Sequence, residues 1–427
     1  MAYKAVNVVR VVVWGMTVGA VARHPQRRAY SFQYTPEWIA TGIELAPLTM
    51  PLQPEPYVFD NLPVMTFKGL PPLLADSLPD DFGGAIVTAA LVDAGVPPSK
   101  ITALDRLAYQ GSRGMGALEY EPAHGPKDKT TTAIKIHDLV EASRKAATGT
   151  FLNDTETRAA IVNILAVGTS AGGARAKAVI AYNPATKEMR SGQVPAAAGF
   201  EQWLIKFDGL GADKELGTTQ DYGRIEYAYS RMAKEAGIDM ADCDLLRENG
   251  RAHFMTRRFD RVAGNKVHIA SLCSMGLLDY KLTGAHSYEQ YFDVIETLRL
   301  GDDAKAEAFR RMVFNVMSAN CDDHTKNLSF TLAKGGQWQL SPAYDLTHAF
   351  NPQGEWTYQH LMSVNGKFKN IRHDDVMALA DRFMVPRPLY LIDQVTAGLA
   401  RWKKYAQEAG VSPTEIDRVE KDFNLLD

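Results

Sequence analysis

Cysteine is scarce in this sequence: three residues in 427 (Cys243, Cys273, Cys321), none paired as C-x-x-C. That excludes a disulfide framework and argues against a zinc site. No apolar run approaches the length of a membrane span, and the start lacks a basic segment followed by an apolar stretch and a cleavage site. A cytoplasmic protein without membrane association is expected. Charge of one sign is also missing, since 47 Lys and Arg against 50 Asp and Glu leave a formal net charge of −3. This excludes a surface given over as a whole to nucleic acid. No internal repeat or low-complexity tract is visible, so a solenoid is not expected. What is present is a chain too long for one compact core, pointing to two or three domains.

The first fifty residues read as strands. AVNVVRVVVWGMTVGAVAR sets β-branched runs on either side of a Gly-containing turn, and AYSFQYT follows as another strand. DDFGGAIVTAALVDAG and IKIHDLVEASRKAATG then turn helical, so residues 1–150 are expected to form a mixed α/β subdomain. Residues 151–265 open on ILAVGTSAGGARAKAVIAYNPATKEM, two apolar runs around a small-residue loop and then a turn. A strand in QWLIKFD follows, then a helix in YGRIEYAYSRMAKEAGI that stops at Gly237, then strands in HFMTRRFDR and NKVHIASLC. Residues 266–427 are mainly helical: SYEQYFDVIETL, AKAEAFRRMVFNVMSAN, DVMALADRFM and the long PLYLIDQVTAGLARWKKYAQEAG. One hairpin, NLSFTLAKGGQWQLS, interrupts them with its turn at Lys334-Gly335-Gly336.

Four groups carry candidate chemistry. In NCDDHTKNLSF, Asp322 and Asn327 show a D-x-x-x-x-N spacing. A phosphotransferase needs one carboxylate to orient an attacking hydroxyl and a hard oxygen ligand nearby for magnesium; a solvated loop with an Asp capping a turn is the plain alternative. In SPAYDLT, at the far end of the hairpin, Asp345 either caps a turn or reaches the same metal. Equal hairpin arms return the chain to its starting end, because each strand residue advances about 3.3 Å. Lys206, in the apolar strand WLIKFDG, needs a partner: an ATP phosphate, or a carboxylate at a sheet edge. Glu226 is the candidate for the ion pair that would hold it, ahead of Glu235. The segment SAGGARAK has small residues that let backbone N–H groups approach phosphate, with Arg175 and Lys177 adding charge. It lacks both G-x-x-x-x-G-K-[ST] and G-x-G-x-x-G, and a tight hairpin would use the same residues. The order of loop, Lys strand, helix, catalytic Asp and metal Asp is that of a two-lobed kinase.

RLAYQGSRGMGALEYEP at residues 106–122, together with SAGGARAK, RRFDR, CDDHTKN and PAYDLT, resembles the HipA family, the kinase toxins of bacterial toxin–antitoxin modules. The resemblance implies an α+β, two-lobed protein-kinase-like fold with an N-terminal mixed α/β subdomain and a mainly helical C-terminal lobe. It implies ATP and Mg2+ as cofactors, with Asp322 as catalytic base and Asn327 and Asp345 as magnesium ligands. His324, Thr325 and Lys326 would line the nucleotide phosphates, and Gly172, Gly173, Ala174, Arg175, Ala176 and Lys177 would form the phosphate loop. Lys206 would lie on the phosphates and Tyr344 beside the nucleotide. Arg257, Arg258 and Phe259 would contact adenine, mainly through backbone groups. Ser170 aligns with an autophosphorylated serine, while Asp323 is given no role.

By the same resemblance the acceptor would be an aminoacyl-tRNA synthetase, glutamyl-tRNA synthetase first, so that translation and growth are inhibited. A HipB-like helix-turn-helix antitoxin would be the partner in corepression, and operator DNA would be reached mainly through it. The mixed basic stretch KFKNIRHDD (residues 367–375) reads as a solvated approach to a helix. The alternatives are a HipA-like kinase with another protein or small-molecule acceptor, or mainly a corepressor.

Overall fold

The computed structural model describes residues 5–79, 81–125, 176–192, 198–208 and 221–426. The predicted helix at 134–149 and the loop residues 170–175 lie outside them. The chain divides into two compact units: Met1–Gly211 with Arg257–Ala270 and Leu332–Gly336, and Ala212–Thr256 with Ser271–Thr331 and Gln337–Asp427.

The first unit opens with β1 (Val8–Val13), β2 (Met16–Arg23), β3 (Tyr30–Tyr34) and β4 (Tyr57–Val58), joined later by β5 (Glu119–Glu121). They form an antiparallel sheet in the order β4-β3-β2-β1-β5. Val9, Val11 and Val13 alternate along β1 and are fully buried with Val21 and Phe32, each side chain contributing about 1.5–3 kcal/mol. Trp14 (φ 51°) and Gly15 (φ 80°) make the two-residue turn between Val13 and Met16, both left-handed as strand twist demands. The Trp14 indole N–H donates to the Lys266 carbonyl at 2.8 Å. Pairing passes from Val11↔Gly19 to Val12↔Thr17, so Val18 is the extra residue of a bulge. A Cβ at Gly19 would lie 2.2 Å from the Gln33 carbonyl oxygen, so the bulge needs glycine there.

Further along the unit, β6 (Lys177–Tyr182) pairs antiparallel with β7 (Met189–Ser191) and β8 (Glu201–Lys206). The Asn-Pro-Ala-Thr turn closes on its own side chain: Asn183 Oδ1 accepts from the Ala185 and Thr186 N–H groups at 3.0 and 3.2 Å. The RRFDR run grips the Gly-rich loop 111–116. Asp260, wholly buried, accepts Arg258 Nε at 2.8 Å, Arg258 Nη2 at 2.6 Å, Arg261 Nη1 at 2.7 Å and the Gly116 N–H at 2.7 Å. Arg261 also donates to the Gly114 and Gly116 carbonyls, each at 3.0 Å.

In the second unit, β9 (Cys243–Glu248) and β10 (Arg251–Arg257) form a hairpin through Asn249 and Gly250, both at positive φ. The Tyr222–Glu235 helix ends as predicted, with Gly237 left-handed at φ 80°. It packs so closely on this hairpin that a Cβ at Gly223 would lie 2.2 Å from the Ala252 carbonyl. The long C-terminal helix expected from periodicity is two helices, Pro388–Leu399 and Trp402–Ala409. The reason is contact: at Gly398 a Cβ would meet the Met232 carbonyl at 2.8 Å, and Trp402 is buried with its N–H on the Ile416 carbonyl at 3.0 Å. Tertiary packing on both sides of residue 400 overrides the local preference. The basic stretch at 367–375 is folded onto a helix start, with Lys367 Nζ and the Arg372 N–H on Asp375.

Candidate active site

The Asp302–Met317 helix carries acids at its N-terminus and a buried face of Phe309, Met312, Val313, Phe314, Val316 and Met317. It ends where Ala319 turns left-handed at φ 54°, which turns the chain into the DDHTKN loop. The loop is pinned at once: the Cys321 N–H donates to the Ala349 carbonyl at 3.1 Å, and the Ala349 N–H to the Ala319 carbonyl at 3.1 Å. It then runs into the hairpin of strands Ser329–Leu332 and Trp338–Leu340, whose return is closed by the Ser341 N–H on the Ser329 carbonyl at 2.9 Å. The AYDLTHA segment therefore passes back beside the loop, and the Tyr344 hydroxyl donates to the Lys326 carbonyl at 2.6 Å.

Asp322 keeps 39% of its side chain exposed. Its Oδ1 accepts the Trp356 indole N–H at 2.7 Å and lies 3.7 Å from His324 Nε2. Surrounding protein mass desolvates the carboxyl and pushes its pKa up. His324 and the Trp356 hydrogen bond pull it down, and the nearby charges of Asp345 and Asp323 push it up again. Asn327 donates its Nδ2 to the Asp322 carbonyl at 2.8 Å, which leaves its Oδ1 as the atom for a cation. Asp345 sits at φ 54°, a conformation a non-glycine residue adopts at some cost. Asp322, Asn327 and Asp345 are thus brought into one neighbourhood. Among the described residues no group of three or more His, Cys, Asp or Glu could hold a metal. An amide oxygen and a carboxylate are hard donors that suit magnesium, which needs few protein ligands when phosphate completes its shell.

The other predicted residues divide. His324 is held between rings, 5.3 Å from Tyr280 and 6.2 Å from Trp356, with its Nδ1 accepting the Lys326 N–H at 3.2 Å. Lys326 places its ammonium 5.1 Å over the Tyr280 ring. Thr325 is buried and spends its hydroxyl on the Leu278 carbonyl at 2.9 Å. Ala176 precedes β6 and Lys177 begins it, and Lys177 is the direct cross-strand partner of Lys206, both ammonium stems buried. Arg257 is exposed, 3.8 Å from Glu201. Arg258 is spent on both sides: its side chain holds Asp260 and its N–H donates to the Gln202 carbonyl at 2.9 Å. Phe259 is half-buried. Glu226 is buried in its helix, whereas Glu235 accepts the Tyr405 hydroxyl at 2.9 Å. Ser170, Gly172, Gly173, Ala174 and Arg175 lie outside the described residues.

Two elements of the site were missed from the sequence. Asp323 is buried with both oxygens engaged: its Oδ2 accepts the Tyr288 hydroxyl at 2.9 Å and pairs with His360 Nδ1 at 2.9 Å, and its Oδ1 accepts the Leu361 N–H at 2.7 Å. Burial works against a charged His360, but the Asp323 carboxylate, with Cys321, holds its pKa well above the usual value. Trp356 was the other omission. The adjacent Asp pair was a signal for the first; nothing local marked the second.

Residues 9–121 match the family described as the HipA N-terminal domain, and residues 169–422 the HipA-like C-terminal domain. The serine/threonine-protein kinase toxin HipA of Shewanella oneidensis is 25% identical over 221 residues, 46% of this chain and 50% of that protein. The putative kinase Y4dM of Sinorhizobium fredii is 25% identical over 227 residues, 49% of this chain and 53% of that one. The chain spans about half the length of the curated relatives it matches. The solved complex of HipA, HipB and operator DNA from Shewanella oneidensis MR-1 has a chain that superposes with a TM-score of 0.69. That match covers 97% of this chain and 95% of the other at 18% identity, which shows a shared fold. The α+β HipA fold expected from the sequence is present, and with a family match running through most of its length the chain belongs to the HipA family.

Proposed function

We propose that this chain is an ATP- and Mg-dependent serine/threonine protein kinase and the toxin of a type II toxin–antitoxin module. One observation carries the reading: a part-exposed carboxylate, Asp322, heads a loop whose Asn327 donates back to the Asp322 backbone carbonyl and whose neighbour Asp345 acts on the Asp322 carboxyl by its charge. Asp322 would accept the proton of a Ser or Thr hydroxyl as that oxygen bonds to the γ-phosphorus of ATP and ADP leaves. Asn327 and Asp345 would hold magnesium, which when bound neutralises charge on the phosphates. Lys206 and Lys177 would bind the phosphates, as cross-strand partners whose cations share one sheet face. His324 and Lys326 would line nucleotide phosphates. Arg258, spent elsewhere, leaves adenine to its neighbours. This proposal keeps the division at residues 150 and 265, and the two family matches end and begin on either side of the first.

Replacing Asp322 by Asn or Gln should abolish transfer while ATP binding persists; a single-turnover rate within a few-fold of wild type would remove the assignment. The finer reading follows the family resemblance of the sequence motifs. The acceptor would be an aminoacyl-tRNA synthetase, with a HipB-like antitoxin as partner in corepression. Labelling a lysate with radioactive ATP and identifying the band tests the acceptor, and a labelled metabolite with no labelled protein would replace it. Phosphorylation of Ser170 would add close to two negative charges beside the phosphate loop and weaken ATP binding. A stoichiometrically phosphorylated chain that binds ATP as tightly as Ser170→Ala would refute that.

A further inference from the structure

Trp356 reaches back 34 residues to place its indole N–H on Asp322 Oδ1 at 2.7 Å. The same short segment holds the next acid, since His360 and the Leu361 N–H take both oxygens of Asp323. Two consecutive carboxylates are thus gripped by one strand of chain, with different results. Asp323 has both oxygens engaged and is buried. Asp322 has one oxygen committed and keeps part of its surface open. A carboxylate tied at neither oxygen turns freely about its last bond and offers its lone pairs in many directions. Tied at one, it presents the other along a fixed line. The tie is sheltered: the Trp356 ring lies 6.2 Å from His324, which lies 5.3 Å from Tyr280, and a hydrogen bond beside packed rings is stronger than one in water.

We propose that Trp356 is a positioning residue for phosphoryl transfer, fixing the Asp322 carboxylate through Oδ1 so that Oδ2 faces the acceptor hydroxyl. The inference rests on the reading of Asp322 as the base. A misplacement of the base by a fraction of its reach costs rate without costing nucleotide affinity, because proton acceptance depends on alignment and phosphate binding does not.

Trp356→Phe keeps a ring and removes the donor. In the full-length chain, single-turnover transfer from radiolabelled ATP into the chain's own protein should fall about 10- to 100-fold, with MgATP affinity and melting temperature unchanged. Trp356→His, which keeps a ring N–H, should recover part of the loss. In an Asp322→Asn background, Trp356→Phe should change nothing further, since a positioning residue acts only through the group it positions. Wild-type rates in Trp356→Phe beside a dead Asp322→Asn would overturn the inference and leave the base assignment standing. A rate above wild type would also overturn it, making the contact a latch that transfer must break. A further loss in the double variant, or weakened MgATP binding, would mark a structural role instead. Full activity in Asp322→Asn, or no transfer in wild type, would remove the base assignment and the inference together.

Discussion

RRFDR and CDDH are both runs of adjacent charged residues, and the molecule treats them in opposite ways. In RRFDR the Asp260 carboxylate receives two guanidinium groups and a backbone N–H, and its neighbours spread over the carbonyls of loop 111–116. Arg261 is pulled down to about 10 by burial, with Asp260 holding it up, and stays charged at neutral pH. Arg258, Asp260 and Arg261 are spent on one another and on this loop, so the worth of these three is structural. In CDDH only the second acid is treated this way; the first keeps an open side. Charge that is fully matched builds a scaffold, and charge matched in part, beside a matched neighbour, can do chemistry.

The sharpest way to break that distinction is to neutralise one acid of each cluster. Asp322→Asn should lower transfer by about 10²- to 10⁴-fold yet leave the chemical-denaturation midpoint in place, since it removes a charge that its surroundings disfavour. Asp260→Ala should do the reverse, costing about 3–5 kcal/mol by stranding two buried guanidinium groups, with activity per folded molecule retained. Equal loss of activity in both would erase the contrast.

The two units also hold histidines of opposite sense. Burial keeps His268 down at about 4 against an ordinary 6.5, with its Nε2 on the Leu45 carbonyl at 3.0 Å. The unfolded chain takes up that proton first as pH falls. The stability of the neutral form is therefore present above 6.5 and drains away toward 4, about 3 kcal/mol in all. His360 runs the other way: its pKa is raised in the folded state, so its contribution is complete below 6.5 and lost as pH climbs through the raised value. Denaturation midpoints from mildly acid to alkaline buffer should show both limbs. His268→Asn should flatten only the acid limb and His360→Gln only the alkaline one. The smallest effect belongs to the exposed pair: Arg257→Ala should shift stability by less than about 1 kcal/mol.

How far these features could be read in advance follows from the range of the interactions that make them. The Val-rich hairpin, the Gly237 stop, the Asn183 turn and the DDHTKN spacing are local, and each was legible. The strand Cys243–Glu248 was not expected because its apolar residues do not alternate cleanly, yet Asn249-Gly250 after it is a strong hairpin signal that would have found it. The break at residue 400 comes from a neighbouring helix, and the Trp356 and His360 contacts span 34 and 37 residues. No window of sequence contains both partners of such contacts.

The left-handed backbone at Asp345 has an evolutionary corollary. A position whose conformation suits glycine better than its resident residue offers a downhill exit: Asp345→Gly relaxes the chain by about 1 kcal/mol while deleting the carboxylate proposed above for magnesium. Under the proposed function, that codon would offer a route to a silenced protein that folds as well as its parent.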